Sequence, residues 1–300
     1  MWNGTLIHGV GNPAQYDDED FYAINASTGR QLWRLGSTRV YSPAVSGDTA
    51  YLGDASNLWA VDAATGQKKW TLRVVNMTSS PIVSNGLVYV GADRYLYAVD
   101  AASGQERWKF ETGDQIAVAP AESGGLLYFG SNDGNFYAIE AATGQERWRF
   151  ETDARVQCKP CFYVGIVYFG GNDRYVRALE AATGEELWRL SGGSCMFPVV
   201  GDGVAYLTAG SRLRAVGAAD GEGKWVFDTG LPRALSGPVL ADGVVYVSAD
   251  RYFYAVDAET GDQLWRVETS AGILGTPLIW GQRAYLGSSN GYLYAIDISD

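Results

Sequence analysis

The chain has 300 residues, of which 47% are apolar and 19% are charged, so its composition excludes a disordered protein and predicts a globular one. Its formal net charge of −11 would repel a phosphate backbone, which argues against nucleic-acid binding. No stretch approaches the roughly 18 consecutive apolar residues of a membrane span. The N-terminus lacks a basic segment followed by an apolar one, which indicates either a mature or excised piece or a cytosolic protein.

An acidic insertion near the N-terminus, NPAQYDDED at 12–20, is the one clear departure from the spacing of the rest of the chain. Thirteen positions separate Gly9 from Tyr22, whereas six separate the equivalent Gly91 and Tyr97. A loop with four carboxylates could gather a hard cation such as calcium, although a solvated acidic loop explains the same residues. The candidate metal ligands are Asp17, Asp18, Glu19 and Asp20.

A tryptophan recurs along the chain at intervals of 37 to 40 residues. It ends the pattern Ala-x-Asp-x-x-Thr-Gly-x-x-x-Trp, as in AVDAATGQKKW at 60–70. Repeats of this length predict units that bury their faces against one another. An eighth copy opens with Ala295 and Asp297. The seven tryptophans are Trp33, Trp70, Trp108, Trp148, Trp188, Trp225 and Trp265.

Each repeat reads as four short strands, which we label A to D. Within residues 78–110 the segments SSPIVS, LVYVGA, LYAVD and QERWKF predict strands that turns separate. Asn85-Gly86 is a strong hairpin signal, and Gly104 is free to adopt a positive φ in a later turn. Four strands in a repeat of about 40 residues predict a blade of an all-β propeller. The tryptophan of strand D would then lie flat between adjacent blades.

The strand count predicts eight four-stranded antiparallel blades in a single domain over residues 1–300. NGTLIHG at 3–9 aligns with NGLVYVG at 85–91, so the chain starts inside an A–B turn, and it ends after the last C strand. The first and last blades are therefore predicted to be incomplete. A seven-bladed propeller is the alternative, but it leaves TLIHGVG and FYAIN without a place.

The tryptophan pattern closely resembles the docking repeat of the quinoprotein-like β-propellers, and the resemblance covers essentially the whole chain. That family includes dehydrogenases that use pyrroloquinoline quinone (PQQ) with calcium. It also includes noncatalytic relatives, such as a lipoprotein scaffold of the bacterial outer-membrane barrel-assembly machinery and sensor domains of some bacterial kinases. The resemblance implies structural docking by the seven tryptophans and a periplasmic or cell-surface location. The adjacent cysteines and long insertions of the enzymes have no counterpart here.

The residue types of common catalytic sites are scarce in this sequence. His8 is the single histidine and aligns with strand-core positions such as Val90, so neither a catalytic triad nor a histidine-rich metal site is supported. CKPC at 158–161 imitates a redox or zinc motif, but it is predicted on a strand, where positions three apart face opposite sides. Cys195 on the neighbouring blade stands at a height that allows contact with Cys158. Packing as small apolar residues is the favoured interpretation of these cysteines.

The residues that differ between repeats indicate where a ligand could be recognised. The D–A loops and B–C turns share one rim of the predicted propeller, and cationic side chains gather there. Such a ring would attract an anionic ligand, unless its arginines pair with the neighbouring Asp93, Asp173 and Asp250. Together with two cysteines, the candidate ligand-binding residues are Arg39, Arg94, Arg155, Cys158, Lys159, Arg174, Cys195, Arg233 and Arg251.

These features predict a noncatalytic scaffold or extracytoplasmic sensor domain that binds an unknown protein or peptide and needs no cofactor. One alternative is a protein that binds PQQ or another small anion, including a relative of the quinoprotein dehydrogenases. A purely structural repeat without a ligand is the other alternative. We expect no nucleic-acid partner and no direct membrane span in this chain.

Overall fold

A computed structural model describes residues 3–12, 15–37, 39–192, 198–232 and 235–299 of the protein. Within these residues the chain forms thirty β-strands and no helix. The strands assemble into eight antiparallel sheets, six with four strands and two with three. The fold is an eight-bladed β-propeller, as the sequence predicted, and its first and last blades are the three-stranded ones. No helix of the described chain is long and apolar enough to span a membrane.

One compact unit comprises Met1–Glu151 and Arg155–Gln157 and contains blades 1 to 4. Blade 1 consists of β1 (Thr5–Asn12), β2 (Gln15–Asn25) and β3 (Gln31–Ser37). Blade 2 consists of β4 (Ala44–Ser46), β5 (Thr49–Gly53), β6 (Asn57–Asp62) and β7 (Lys68–Arg73). Blade 3 consists of β8 (Ile82–Ser84), β9 (Leu87–Ala92), β10 (Tyr95–Asp100) and β11 (Glu106–Glu111). Blade 4 consists of β12 (Ala121–Ser123), β13 (Leu126–Gly130), β14 (Asn135–Glu140) and β15 (Glu146–Glu151).

A second compact unit comprises Thr152–Ala154 and Cys158–Asp300 and contains blades 5 to 8. Blade 5 consists of β16 (Cys161–Tyr163), β17 (Ile166–Gly170), β18 (Tyr175–Glu180) and β19 (Glu186–Ser191). Blade 6 consists of β20 (Pro198–Gly201), β21 (Val204–Ala209), β22 (Arg212–Gly217) and β23 (Gly223–Asp228). Blade 7 consists of β24 (Val239–Ala241), β25 (Val244–Ala249), β26 (Tyr252–Asp257) and β27 (Gln263–Glu268). Blade 8 consists of β28 (Ile273–Trp280), β29 (Arg283–Ser288) and β30 (Leu293–Asp297). A single domain over residues 1–300 stays a prediction.

The B and C strands form the core, because they lie in the middle of each four-stranded sheet. Between blades 3 and 4, for example, Tyr89 and Leu96 pack against Leu127 and Tyr137, all at most 2% exposed. The outer D strands instead alternate exposed charged residues with half-buried apolar ones. Strand B is buried on both faces and therefore reads as a continuous apolar run in the sequence. Strand D has one exposed face and therefore shows a mixed pattern.

Two kinds of turn fix the strand order within a blade. Asn85 and Gly86 both adopt positive φ, at 50° and 76°, as a two-residue hairpin turn between strands A and B requires. Between strands C and D, the Asp62 carboxylate accepts hydrogen bonds from the Thr65 backbone N–H and hydroxyl, at 2.9 and 2.8 Å. Those bonds cap the turn, and they hold the Asp62 pKa below its usual range.

The tryptophan of strand D docks onto the next blade of the same unit. In each of five docking pairs, the indole Nε1–H donates to an alanine backbone carbonyl in the next C–D turn, at 2.8 to 3.1 Å. A strand-B tyrosine donates to the same carbonyl in four of these pairs, so one oxygen accepts two donors. The five pairs are Trp33–Ala63, Trp70–Ala101, Trp108–Ala141, Trp188–Ala218 and Trp225–Ala258.

The glycine of the same C–D turn, three residues after the alanine, lies directly against the indole ring. A Cβ built on Gly144, which has φ +74°, would stand 2.7 Å from Cε3 of Trp108. The same close approach occurs at Gly66, Gly104, Gly221 and Gly261. The glycine of the repeat is therefore required for two reasons: it adopts a positive φ, and it leaves room for the indole of the preceding blade.

Gly144→Ala should lower the free energy of unfolding by about 2–4 kcal/mol, because the methyl group adds a steric clash with Trp108 to the cost of a left-handed residue. Gly124→Ala is the matched control, since Gly124 has φ +59° in the same blade but open space around it. The control should lose only about 1–2 kcal/mol. Urea unfolding followed by tryptophan fluorescence measures both. Equal losses would show that the glycine–indole contact contributes nothing.

Candidate functional site

The acidic insertion forms part of a long hairpin and not the loop that the sequence predicted. Strand β2 includes residues 15–20, and Asn12 at the end of β1 pairs with Gln15. Successive side chains of a strand face opposite sides, so the carboxylates of Glu19 and Asp20 point to opposite faces of the sheet. Glu19 accepts a hydrogen bond from the Val40 N–H at 2.5 Å.

The last carboxylate of the insertion, Asp20, is buried in an ion pair. Its Oδ2 atom lies 2.6 Å from a guanidinium nitrogen of Arg34 and accepts a hydrogen bond from Tyr22 at 3.2 Å. The side chains of Asp17 and Asp18 lie outside the described part of the chain. No group of three or more His, Cys, Asp or Glu side chains in the described residues could hold a metal ion.

Two of the predicted rim cations in the first unit contact groups close to them in their own unit. Arg94 forms an ion pair with Glu111 at 3.0 Å and lies over the ring of Tyr95. Glu111 is the partner because the antiparallel register places it opposite Tyr95. The guanidinium of Arg39 lies 5.7 Å from the ring centre of Tyr41. Arg155 is exposed.

The second unit repeats the pairing seen in the first. Arg251 forms an ion pair with Glu268 at 3.4 Å, because Glu268 lies opposite Tyr252 in the register. Arg94 and Arg251 therefore both pair with strand-D glutamates, which the sequence analysis did not consider as partners. Lys159 and Arg174 are exposed. Arg233 lies outside the described residues.

The cysteines differ from the packing role that the sequence favoured. Cys158 is fully buried and disulfide-bonded, whereas Cys161 is a free thiol, so CKPC is not a closed redox pair. Burial raises the pKa of Cys161 to about 12, which keeps it a thiol and not a thiolate nucleophile. Cys195 lies outside the described residues.

The single histidine is not in the core. His8 pairs with Tyr22 across β1 and β2, and its side chain is exposed. The aligned Val90 is fully buried. The predicted strand position is therefore correct, but the predicted core environment is not, because strand B is an edge of the three-stranded blade 1.

A buried ion pair in blade 5 was not found from the sequence. The side chain of Arg177 is 3% exposed and binds the Asp173 carboxylate, with Glu186 3.4 Å away. In blade 4 the equivalent Tyr137 donates a hydrogen bond to the equivalent Asp133 at 2.7 Å. The guanidinium of blade 5 thus takes the place that a phenol has in blade 4, beside the equivalent carboxylate. The signal was present in the repeat alignment, where arginine stands at a C-strand position that is aromatic in six other blades.

Blade 8 carries exposed apolar residues that sequence reasoning also missed. Leu278, Trp280 and Leu293 are 39%, 48% and 41% exposed. Leu278 pairs with Tyr285, and Tyr285 pairs with Ala295, so the exposed residues belong to one face of the sheet. In the sequence these positions look like ordinary strand residues.

Comparison with known proteins agrees with this architecture. The family model of outer membrane protein assembly factor BamB matches residues 17–119, 92–226 and 209–300. The chain therefore belongs to this family. No curated protein sequence matches the chain significantly.

Three solved structures illustrate the fold. BamB from Moraxella catarrhalis is 17% identical, with a TM-score of 0.80 over 97% of this chain and 95% of that one. The computationally designed Ika8 protein is 15% identical, with a TM-score of 0.82 over 99% and 97%. The quinohemoprotein alcohol dehydrogenase from Comamonas testosteroni is 13% identical, with a TM-score of 0.74 over 93% and 69%. At these identities the likeness shows the fold alone.

The thiol chemistry of the protein should follow from the cysteine environments. Without reductant, the unfolded chain should titrate fewer than three thiols, because Cys158 is disulfide-bonded. The native protein at pH 8 should react far more slowly, because the Cys161 pKa of about 12 leaves almost no thiolate. Titration with a thiol-specific chromogenic disulfide, before and after addition of denaturant, measures both. Three thiols in the unfolded chain would contradict the disulfide.

Replacement of Arg177 should reveal how much the buried carboxylate needs a partner. Arg177→Met should lower the free energy of unfolding by about 3–5 kcal/mol, because Asp173 stays buried without its ion pair. Arg177→Tyr should lose much less, since Tyr137 makes the equivalent contact in blade 4. Urea unfolding of the two variants tests this. An equal loss in free energy of unfolding for both would show that a tyrosine cannot replace Arg177 as the partner of Asp173.

Proposed function

We propose that this BamB-family propeller is a noncatalytic scaffold or sensor domain that binds another protein outside the cytoplasm. The observation that carries the proposal is the exposed apolar face of blade 8. Exposed leucine and tryptophan side chains on one sheet face are a feature of protein-interaction surfaces. Tryptophan is also enriched among the residues that contribute most to binding energy.

The contrast between blade 8 and the other blades supports this interpretation. The C-strand alanines of blades 1 to 7 are at most 1% exposed, whereas the equivalent Ala295 is exposed. Tyr292, in the turn before β30, is 69% exposed. Blade 8 therefore exposes to solvent positions whose equivalents are buried in the other blades.

The disulfide at Cys158 favours a location outside the cytoplasm, because disulfides persist in oxidising compartments. The family description names an outer membrane protein assembly factor, which supports the same location. A role in assembling or sensing envelope proteins is consistent with both observations.

The proposal includes no resident cofactor. The described residues supply no cluster of carboxylates for the calcium that accompanies PQQ. Two of the predicted rim arginines, Arg94 and Arg251, already have glutamate partners. These observations support the proposal, and calorimetric titration with PQQ and calcium should give no saturable heat. A saturable heat would favour the small-anion alternative.

Site-specific photo-crosslinking in the host cell tests the proposal. A benzophenone amino acid at Trp280 or Tyr292 should form discrete adducts with another protein, identified by mass spectrometry. The matched control position is Val226, which is 58% exposed on a complete blade and should give no such adduct. Adduct formation with the purified partner then establishes direct contact. Absence of adducts from both blade 8 positions, or equal adducts from Val226, would overturn the proposal.

A further inference from the structure

We propose that one face of blade 5 binds an acidic segment of a partner protein. A carboxylate of that segment would take the place beside Arg174 that a glutamate of the chain itself takes in blades 3 and 7. The inference rests on the proposed function, since it specifies the chemistry of the partner. A comparison of equivalent positions within the repeat carries it, and every residue of the surface belongs to a complete blade.

The triplet Asp-Arg-Tyr occurs three times in the turns between strands B and C, at 93–95, 173–175 and 250–252. In two of the three copies its arginine has a carboxylate partner on strand D. Arg94 lies 3.0 Å from Glu111, and Arg251 lies 3.4 Å from Glu268. Each glutamate stands opposite the tyrosine of its triplet. The repeat therefore defines a position for a carboxylate beside this arginine.

Blade 5 keeps the arginine of the triplet but not the carboxylate. The residue opposite Tyr175 is Ser191, which is exposed. Asp173, the acid next to Arg174 in the chain, binds Arg177 instead. The exposed side chain of Arg174 thus forms no ion pair within the described residues. The position that holds a glutamate in blades 3 and 7 is open to a carboxylate from another molecule.

Two further arginines of blade 5 surround the same tyrosine. The guanidinium carbons of Arg177 and Arg189 each lie 5.3 Å from the centre of the Tyr175 ring. Both arginines share Glu186, at 3.4 and 3.7 Å. With Arg174, the group holds three guanidinium groups and only two carboxylates. This local positive excess, on a chain with a net charge of −11, attracts a carboxylate that most of the surface would repel.

The outer strand of blade 5 adds an apolar contact to the charged one. Leu187, Arg189 and Ser191 alternate along β19, so their side chains belong to one face of the strand, and all three are exposed. Leu187 is 47% exposed. At its position blades 3 and 4 have Arg107 and Arg147, which form ion pairs within their own blades. Blade 5 therefore presents an apolar, a cationic and a hydroxyl side chain over about 13 Å of strand.

These side chains define the chemistry of the occupant. An arginine binds a carboxylate with two parallel hydrogen bonds, and the Ser191 hydroxyl can donate a third. A single exposed ion pair contributes little, so a stable complex needs several contacts at once. An extended segment has alternate side chains on one face. Carboxylates at two alternate positions would reach Arg174 and Arg189, and an apolar side chain at the next would cover Leu187.

A synthetic peptide of that pattern, SGETETLGS, is the probe. Its fluorescein-labelled form, titrated with the whole chain at low ionic strength and followed by anisotropy, should bind saturably. The matched peptide SGQTQTLGS should bind at least tenfold more weakly, because its amides have the shape of the carboxylates without their charge. Equal binding of the two peptides would contradict the inference.

Protein variants locate the binding on blade 5. Ser191→Glu should weaken binding of SGETETLGS at least tenfold, because it supplies Arg174 with the partner that Arg94 and Arg251 already have. The matched control is Ser46→Glu, which adds the same charge at an exposed strand position of blade 2. Arg174→Gln should weaken binding at least threefold, whereas Arg94→Gln, with the same change in net charge, should bind like the parent protein.

Several outcomes would overturn the inference. They are the absence of saturable binding, an equal effect of Ser191→Glu and Ser46→Glu, and displacement of the peptide by an equal concentration of N-acetylglutamate, which would assign the surface to a small carboxylate. A dimer seen by light scattering and abolished by Arg174→Gln would assign it to a second copy of the chain. The peptide assay reports on blade 5 alone. Photo-crosslinks at blade 8 without peptide binding would therefore refute this inference and leave the proposed function standing.

Discussion

The hydrogen bond from a strand-D tryptophan to a carbonyl of the next blade, with a glycine against the indole face, is the interaction on which the propeller depends. A single four-stranded sheet cannot bury both of its faces, so each blade needs its neighbour. The contact couples three requirements in one place: a buried indole must have an acceptor, the turn must have positive φ, and no Cβ can intervene. These requirements explain why the repeat keeps Ala, Thr-Gly and Trp at constant spacing.

The fold could be predicted from the sequence because these requirements act locally and recur. Asn85-Gly86 specifies one hairpin, the Asp62 carboxylate caps another turn, and the distance from Gly66 to Trp70 sets the strand between them. Each signal needs only a few neighbouring residues, and repetition along the chain removes the ambiguity of any single copy. The number of blades and the incomplete first and last blades follow from counting.

The side chains around the rim could not be placed in the same way, because their partners come from other strands. The sequence offered only the preceding aspartates as partners of Arg94 and Arg251, whereas the antiparallel register places strand-D glutamates beside them. The acidic insertion reads as a loop in sequence, yet it pairs as a hairpin that separates Glu19 from Asp20 on opposite faces. Arg177 looks like a surface residue until its carboxylate partner is seen beside it. In each case the decisive contact lies outside the local pattern.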